Sequence, residues 1–422
     1  MSKKIFFPTL KKFNLAALAT VLVLTSCQVE EPAPPEPEIV IEQTEYTLSA
    51  AENRTATISF IASADWTLTI TCEGDDPDWL TASDLSGVAG QQTVELTAEG
   101  NLEQAERTAY ANIVCRDQKV QVTVTQSGTS TNTNFASLFD SDFAQLLQDQ
   151  GIISNAQNIT LQDMDNIAAL TKLNVSWCQL YSLDGIKYFK SLTYLDCSKN
   201  TITELDLSQN TSLIELNTSF TNSLKELNIS KCTELDILEC QGNKLTALDI
   251  SQNAKLTTLK CYYNELTSLD VSKCTELDTL ECQGNMLTTL DVSQNVKLTE
   301  LNCSYNMLTN LDTSRNTALK ALFCDYNKLT DLDTGKNTSL TDLDCSYNML
   351  TALDVSRNTV LKQCGFSCNP GDGISTFPLT VWSERSLEAL DIPVTIWTYE
   401  DKIISTSFLF VEQAAMTTQN HK

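Results

Sequence analysis

A leucine recurs at a fixed interval through the second half of this sequence, and that period constrains the fold more than any other feature. The interval is 21 residues, with one step of 22, and an earlier unit of 22 residues begins at Leu170. The later units begin at Leu192, Leu213, Leu235, Leu256, Leu277, Leu298, Leu319, Leu340 and Leu361. Such a period is typical of a solenoid, in which each repeat buries its apolar side against its neighbours.

Each unit reads as one short strand, a turn and a return segment. The unit that begins at Leu256 has Leu259, Cys261, Asn264 and Leu266 at its fourth, sixth, ninth and eleventh places. The alternation of apolar residues indicates a strand with one face inward, and the ninth-place asparagine is expected to bond backbone groups in the following turn. About ten residues remain for the return, too few for an ordinary helix, so we predict an extended or 3₁₀ return.

The sixth place carries a cysteine in most units. These cysteines are Cys197, Cys240, Cys261, Cys282, Cys303, Cys324 and Cys345. We predict that they form a ladder in the core, because in-register strands lie ~4.8 Å apart and buried cysteine behaves as a small apolar residue. Disulfides between neighbours require Cβ atoms ~3.8 Å apart, and metal ligands must converge on a point, so we predict a reduced ladder without metal.

These repeats resemble a known class of bacterial surface proteins. The stretch "LYSLDGIKYFKSLTYLDCSKN", residues 180–200, and the sixth-place cysteines are similar to internalin-like cysteine-ladder leucine-rich repeats and their relatives in Bacteroidetes. The resemblance covers roughly residues 160–369 and implies a surface binding or adhesion role without naming a partner.

Residues 39–128 contain short runs rich in Val, Ile and Thr, which predict an immunoglobulin-like β-sandwich. Trp66 and Trp79, followed by "SGVAG", "ERTA" and "VTVTQSG", resemble the BACON domain, and this resemblance implies carbohydrate binding. The two tryptophans either stack on a sugar or belong to the core. Cys72 and Cys115 lie on predicted strands, and the sequence leaves open whether they form a disulfide.

The N-terminus reads as a secretion signal. Residues 1–26 combine four lysines with the apolar run "LAALATVLVL", which is too short to span a membrane. The closing "LTSC" resembles the bacterial lipobox, which implies lipidation of Cys27; the alternative is an ordinary cleaved signal. The acidic, proline-rich residues 27–38 read as a tether and resemble surface-export signals of Bacteroidetes lipoproteins. We therefore expect an outer-membrane lipoprotein that is exposed on the cell surface and that contacts the membrane only through its lipid.

Charge and histidine content exclude several functions. The net charge of −26 disfavours nucleic acid and anionic lipid as partners. Histidine occurs once, at His421, so mechanisms that need a catalytic or metal-bound histidine are not available. We predict a monomeric, non-enzymatic protein without cofactor or metal.

Two columns of side chains are candidates for binding. The eighth place of the unit carries aromatic residues in six units, and we predict that five of these, together with a fifth-place phenylalanine, bind a partner. These candidates are Trp177, Tyr263, Tyr305, Phe323, Tyr326 and Tyr347. The alternative is a structural ladder in which each ring covers the next turn. A column of aspartates at the fifteenth place either caps turns or binds cations; it comprises Asp206, Asp249, Asp270, Asp291, Asp312, Asp333 and Asp354.

The predicted organisation is mainly β. It consists of the signal peptide, the tether and the sandwich, then a linker with an N-terminal cap at 129–169, the solenoid at 170–369 and a C-terminal cap at 370–422. The expected function is capture of a protein ligand on a host or microbial surface through the repeat face. The alternative is binding of a glycan or mucin through the sandwich.

Overall fold

The computed structural model describes residues 38–72 and 78–371, and the backbone of three short strands at 379–380, 397–399 and 402–404. The predicted signal peptide, the lipidation candidate Cys27, nearly all of the tether and most of the predicted C-terminal cap lie outside the described residues. Within these ranges, no helix has both the length and the apolar character needed to cross a membrane.

The N-terminal domain is a β-sandwich, as predicted. Its strands are β1 Ile39–Ile41, β2 Glu45–Leu48, β3 Thr55–Ala62, β4 Trp66–Cys72, β5 Leu80–Ala82, β6 Ser86–Gly87, β7 Gly90–Ala98, β8 Arg107–Cys115 and β9 Gln118–Gln126. One sheet has the order β1-β3-β7-β5 and the other β2-β9-β8-β4-β6. Alternate residues of these strands, such as Ile58, Leu96 and Ile113, are fully buried in the core.

The strand register shows that Cys72 and Cys115 cannot form a disulfide with each other. In the antiparallel pair of β4 and β8, Cys72 is opposite Ala109 and Cys115 is opposite Trp66. The two cysteines are therefore six register positions apart, roughly 20 Å at ~3.3 Å per residue. This distance is far beyond the reach of a disulfide.

Two helices close the first end of the solenoid. They are α1, Ser141–Asp149, and α2, Leu161–Ala169. The Asp140 carboxylate caps α1, while Thr160 and Asp163 form a reciprocal capping box on α2. Their apolar faces continue the solenoid core. The sandwich packs against this cap, and the Ser137 hydroxyl donates to the Ala51 carbonyl at 2.8 Å.

The repeats stack into one parallel sheet of ten strands. In order, these are β10 Lys172–Asn174, β11 Tyr194–Asp196, β13 Glu215–Asn217, β15 Ile237–Glu239, β16 Thr258–Lys260, β17 Thr279–Glu281, β18 Glu300–Asn302, β19 Ala321–Phe323, β20 Asp342–Asp344 and β22 Gln363–Gly365. Equivalent places pair without slippage, so that Leu259 is opposite Leu280 and Leu280 is opposite Leu301.

The seven sixth-place cysteines form the predicted ladder, and all are fully buried. They are thiols in the structure. Burial raises the pKa of Cys240 to about 12 and holds the pKa of Cys261 and Cys303 well above the ordinary value. The ladder is therefore protonated and packs as an apolar column.

The ninth-place asparagines hold neighbouring turns together. The Asn264 Nδ2 donates to the carbonyls of Cys240 and Cys261, both at 3.0 Å, and its Oδ1 accepts from the Leu245 N–H at 3.0 Å. One side chain thus satisfies three buried backbone groups in two successive units. The same bonds recur at Asn285, Asn306, Asn327, Asn348 and Asn369.

The return side consists of extended segments and single tight turns, in agreement with the prediction. Two short parallel pairs form there, β12 Glu204–Asp206 with β14 Glu226–Asn228, and β21 Leu353–Asp354 with β23 Leu379–Thr380. Each turn is closed by an i to i+3 bond, for example from the Asn253 N–H to the Ile250 carbonyl at 3.0 Å. Beyond the repeats, β24 Trp397–Tyr399 pairs with β25 Lys402–Ile404.

A second asparagine ladder lines the return side. The Asn337 Nδ2 donates to two carbonyls of earlier turns, and the Thr313 hydroxyl donates to its Oδ1 at 2.9 Å. The Asn316 Nδ2 makes the same two bonds, but Val292 stands where the threonine would be. The Asn316 Oδ1 is consequently buried without a partner. Cys232 and Cys274 replace the asparagine in two units, and their thiols approach the same carbonyls.

Candidate functional site

The eighth-place column follows the strand at a point where the backbone is left-handed. Tyr263, Tyr305, Tyr326 and Tyr347 have φ angles of 50° to 53°, and Trp177 has 60°. Their side chains point outward, with exposed fractions between 38% and 72%. A non-glycine residue in this conformation costs about 1 kcal/mol or more. Glycine occupies the same place at Gly242 and Gly284, so the turn itself does not require an aromatic residue.

Three tyrosines form a continuous stack. The ring centroids of Tyr305 and Tyr326 are 4.2 Å apart with planes 13° apart, and those of Tyr326 and Tyr347 are 4.0 Å apart at 10°. Lost hydration and the neighbouring Tyr326 hydroxyl raise the pKa of Tyr305, and the neighbouring Tyr347 hydroxyl raises the pKa of Tyr326. Both faces of Tyr326 are therefore covered, and its edge and hydroxyl face solvent.

The other aromatic candidates are more dispersed. The Tyr263 ring lies over Gly284, where an added Cβ would collide with the ring. Trp177 stands at the opposite end of the column, with the Lys199 Nζ 5.1 Å from its ring centroid. Phe323 is half-buried on the outer face of β19, in the same unit as Tyr326. The rings of Trp177, Tyr263, Tyr305 and Tyr326 contact the next unit, as the structural alternative predicted, yet a large part of each tyrosine remains exposed.

A methionine column beside the tyrosines was missed by the sequence reasoning. Met286, Met307 and Met349 occupy the tenth place and have exposed fractions of 37% to 45%. Because the ninth-place asparagine points inward, the eighth and tenth places flank it on the surface. The repeated "CSYNML" was a usable signal, since it puts Tyr and Met at fixed places two residues apart. We call the surface formed by Tyr305, Tyr326, Tyr347, Met286, Met307 and Met349 the tyrosine–methionine edge.

The aspartate column caps turns. The Asp249 Oδ1 accepts from the Ser251 N–H at 2.9 Å, and Asp291 and Asp312 make the same bond to Ser293 and Ser314. These bonds hold the pKa of the three carboxyls below the ordinary value. Across the described ranges, no group of three or more His, Cys, Asp or Glu side chains is arranged to hold a metal ion.

Of the two alternatives for Trp66, sugar stacking or a place in the core, the structure shows the second. Its side chain is only 3% exposed, and its ring packs edge-to-face against Phe60 with centroids 5.0 Å apart. A Cβ at Gly87 would lie 2.7 Å from the Trp66 Nε1, so β6, the neighbouring strand of the same sheet, passes close to the ring. Strand register and the small Gly87 place this tryptophan in the core, and neither is evident from the tryptophan spacing.

Trp79 lies at a cleft between the sandwich and the solenoid. The cleft has a volume of about 940 Å³. The Arg107 guanidinium sits 4.5 Å above the Trp79 ring, which is half-buried. Tyr181, which is 70% exposed, lines the cleft from the first repeat, and an ion pair between Lys187 and Glu99 joins the two domains. A cleft between two domains could not be predicted from either domain alone.

Residues 38–129 match the family model described as the viral BACON domain. The repeats are similar to a solved structure of the functional domain of InlJ from Listeria monocytogenes, which includes a cysteine ladder. The identity is 39% over 59% of this chain and 56% of that chain, with a TM-score of 0.53. This chain therefore spans little more than half of that structure.

Two further solved structures match with lower similarity. An internalin, InlF, from Listeria monocytogenes has 20% identity over 55% of this chain and 90% of that chain, with a TM-score of 0.31. The leucine-rich repeat domain of APL1B has 21% identity over 52% and 66%, with a TM-score of 0.44. No curated protein matches the chain.

Proposed function

We propose that this protein is a surface-binding module whose solenoid captures a protein partner, in adhesion or host interaction, along the tyrosine–methionine edge. The observation that carries the proposal is the stacked row of tyrosines held outward on a left-handed backbone. Tyrosine and methionine are enriched in protein interfaces. Rings fixed by stacking lose little conformational entropy on binding, so they are suited to anchor a partner. The likeness to an internalin-class repeat domain agrees with a binding role.

The geometry of this edge favours a protein over a sugar. A sugar stacks on the open face of an aromatic ring, and Tyr326 has both faces covered by its neighbours. Methionine offers apolar, adaptable contacts and no strong hydrogen bond. Edges, hydroxyls and thioethers are instead suited to the mixed apolar and polar surface of a protein.

The test uses substitutions that the fold already tolerates. Glycine occupies the eighth place in two units, so Tyr305→Gly, Tyr326→Gly and Tyr347→Gly together should preserve the turns. Binding of the soluble chain to matrix and mucin coatings is measured by surface plasmon resonance, on coatings left intact, deglycosylated or protease-stripped. Binding that survives deglycosylation, is lost after protease treatment and drops at least tenfold in the triple variant supports the proposal. Equal binding by the triple variant would refute it.

We also propose that Cys27 anchors the chain to the outer membrane through a lipid. The lipobox-like "LTSC" and the acidic tether that follows support this. Metabolic labelling with a fatty acid should mark the wild type and not Cys27→Ala, and protease added to intact cells should remove the repeats. Labelling of Cys27→Ala would contradict the lipid site.

A second candidate function is glycan binding at the cleft between the domains. Its volume lies within the range of ligand sites, and it combines the half-buried Trp79 with the exposed Tyr181 and a mixture of acidic and basic side chains. The same coatings distinguish this function, because binding would then be lost on deglycosylation and in Tyr181→Ala. The triple tyrosine-to-glycine variant serves as its matched control and should bind normally.

A further inference from the structure

The strand face next to the tyrosine–methionine edge is rich in carboxylates. From Thr279 to Tyr347, the third, fifth and seventh places of successive units supply acidic side chains that are all partly exposed. They are Glu281, Glu300, Asp325, Asp342 and Asp344. Over the same units, the third to eighth places contain no Lys, Arg or His. Phe323 and the tyrosine stack lie among these carboxylates, so this face combines an apolar centre with an acidic surround.

Within the part of the chain that the structure describes, four of these five carboxylates, all but Glu281, have no ion-pair partner. The nearest cation on the face is Lys260, one unit earlier, and it is already engaged by Glu239 at 3.1 Å and Glu281 at 3.9 Å. Lys320 and Lys362 border the face at the second place, and Lys328 stands at the tenth place between Met307 and Met349, within the tyrosine–methionine edge. Within the described residues, none of these three forms an ion pair with the face.

Asp325 and Asp344 bring like charges together beside the stack. Asp325 is half-buried and accepts a hydrogen bond from the Ser304 hydroxyl. Burial, and then the charge of Asp344, raises the pKa of Asp325. An acidic pair that is partly dehydrated and lacks a cation is unfavourable in the unbound protein. A cation supplied by a partner would relieve this repulsion, and its attraction would strengthen as water leaves the interface.

We propose that the partner of the tyrosine–methionine edge presents arginine or lysine side chains interspersed with apolar ones, with its cations placed over Asp325 and Asp344. This rests on the proposed function, since it specifies the partner for the same surface. Arginine fits best, because its planar guanidinium pairs with carboxylates and packs against aromatic edges and faces. The inference goes beyond the net charge of the chain, because it depends on where the unpaired carboxylates lie.

The test uses defined peptides and the full soluble chain. Three labelled twelve-residue peptides alternate leucine with arginine, with citrulline or with glutamate, so that the first two differ only in charge. Fluorescence anisotropy gives the Kd of each peptide at low and at moderate salt. A double variant, Asp325→Asn with Asp344→Asn, is compared with a control double variant, Glu42→Gln with Glu52→Gln. The control changes two exposed sandwich residues and alters the net charge by the same amount. Asparagine keeps the acceptors for the bonds from Ser304 and the Ser346 N–H.

The arginine peptide should bind more tightly than the citrulline peptide, and the advantage should shrink with salt. Two partly exposed charge pairs at about 0.2–1 kcal/mol each predict a loss of about two- to thirtyfold in the double variant Asp325→Asn with Asp344→Asn, and little change in the control pair. Equal loss in both pairs of variants would mean that only total charge matters, and it would overturn the inference. So would tighter binding of the citrulline or glutamate peptide, or binding of none of them.

The two proposals fail in distinguishable ways. If the triple tyrosine-to-glycine variant loses binding to protein coatings while Asp325→Asn with Asp344→Asn does not, the edge is the site and the partner's cations are not needed. If neither set of variants changes binding, the edge itself is not the site.

Discussion

Some asparagines of the return-side ladder accept a hydrogen bond from a threonine hydroxyl, and others have an unpaired Oδ1. This difference allows one buried hydrogen bond to be removed or added by substitution. At Asn358, the Thr334 hydroxyl donates to the Oδ1 at 2.8 Å, and both side chains are fully buried. Thr334→Val keeps the shape and removes this donor. Leaving a buried acceptor unpaired costs about 1–3 kcal/mol, and the added methyl group returns ~0.8 kcal/mol. We therefore expect a net destabilisation of about 0.2–2 kcal/mol.

The reverse substitution supplies a missing donor. Val292→Thr places a hydroxyl where the Asn316 Oδ1 is buried without a partner. The gained bond of about 1–1.5 kcal/mol roughly offsets the lost methyl group, so stability should be unchanged or slightly higher. Elsewhere in a core, Val→Thr is destabilising, because the new hydroxyl lacks a partner.

Two matched substitutions separate the effect of the added hydrogen bond from the effect of the lost apolar area. Ile229 and Ile250 are each 1% exposed. In the structure, the Asn253 Nδ2 bonds the Ile229 carbonyl, whereas the Cys274 thiol approaches the Ile250 carbonyl. The new hydroxyl of Ile229→Thr would thus face the unpaired Asn253 Oδ1, whereas the new hydroxyl of Ile250→Thr would face the Cys274 thiol. Urea unfolding followed by circular dichroism should show Ile250→Thr less stable than Ile229→Thr by about 1 kcal/mol. Equal stabilities, together with a neutral Thr334→Val, would refute the reasoning.

Three further predictions concern the interior and the turns. The ladder cysteines should resist alkylation in the native protein and all react in denaturant without reductant, as mass spectrometry would show; protection that requires reductant to remove would mean disulfides. Cys303→Ser should lower stability by about 1–3 kcal/mol in thermal unfolding, whereas Cys303→Val should be better tolerated, because only serine adds a strong buried donor; the opposite order would contradict a dry ladder. The capping aspartates have lowered folded-state pKa values, so their stabilisation is complete above the unfolded pKa of about 3.9 and is lost as pH falls through the folded values. Replacing Asp249, Asp291 and Asp312 with Asn should flatten the acid limb of the melting temperature, and an unchanged acid limb would contradict this.

Much of the solenoid could be predicted from the sequence, because stacked units repeat one set of places. The period of 21 residues fixed which residues share a column, and the inward cysteines followed from strand alternation. The methionine column was missed because the tenth place looked merely variable. Its meaning depends on Asn306 and its equivalents pointing inward, which leaves Met307 on the same edge as Tyr305.

Fewer side-chain positions of the sandwich could be predicted from the sequence, because its contacts depend on the register between strands that are distant along the chain. The pairing of Trp66 with Gly87 places the tryptophan in the core, and the register of β4 and β8 keeps Cys72 and Cys115 far apart. Neither pairing can be read from the sequence. The cleft at Trp79 and Tyr181 arises from packing between domains, for which neither repeat period nor strand pattern gives a signal.

Photo-crosslinking from the tyrosine–methionine edge would show directly whether a protein partner binds there. Benzoyl-phenylalanine replaces Met307 on the edge or, as the control, Val296, an exposed residue on the return side. The soluble chain is illuminated on protein coatings that it binds, and crosslinked species are identified by mass spectrometry. If the partner binds at this edge, crosslinks to a coating protein form from position 307 and few form from position 296. Crosslinks from position 296 with none from position 307 would contradict it.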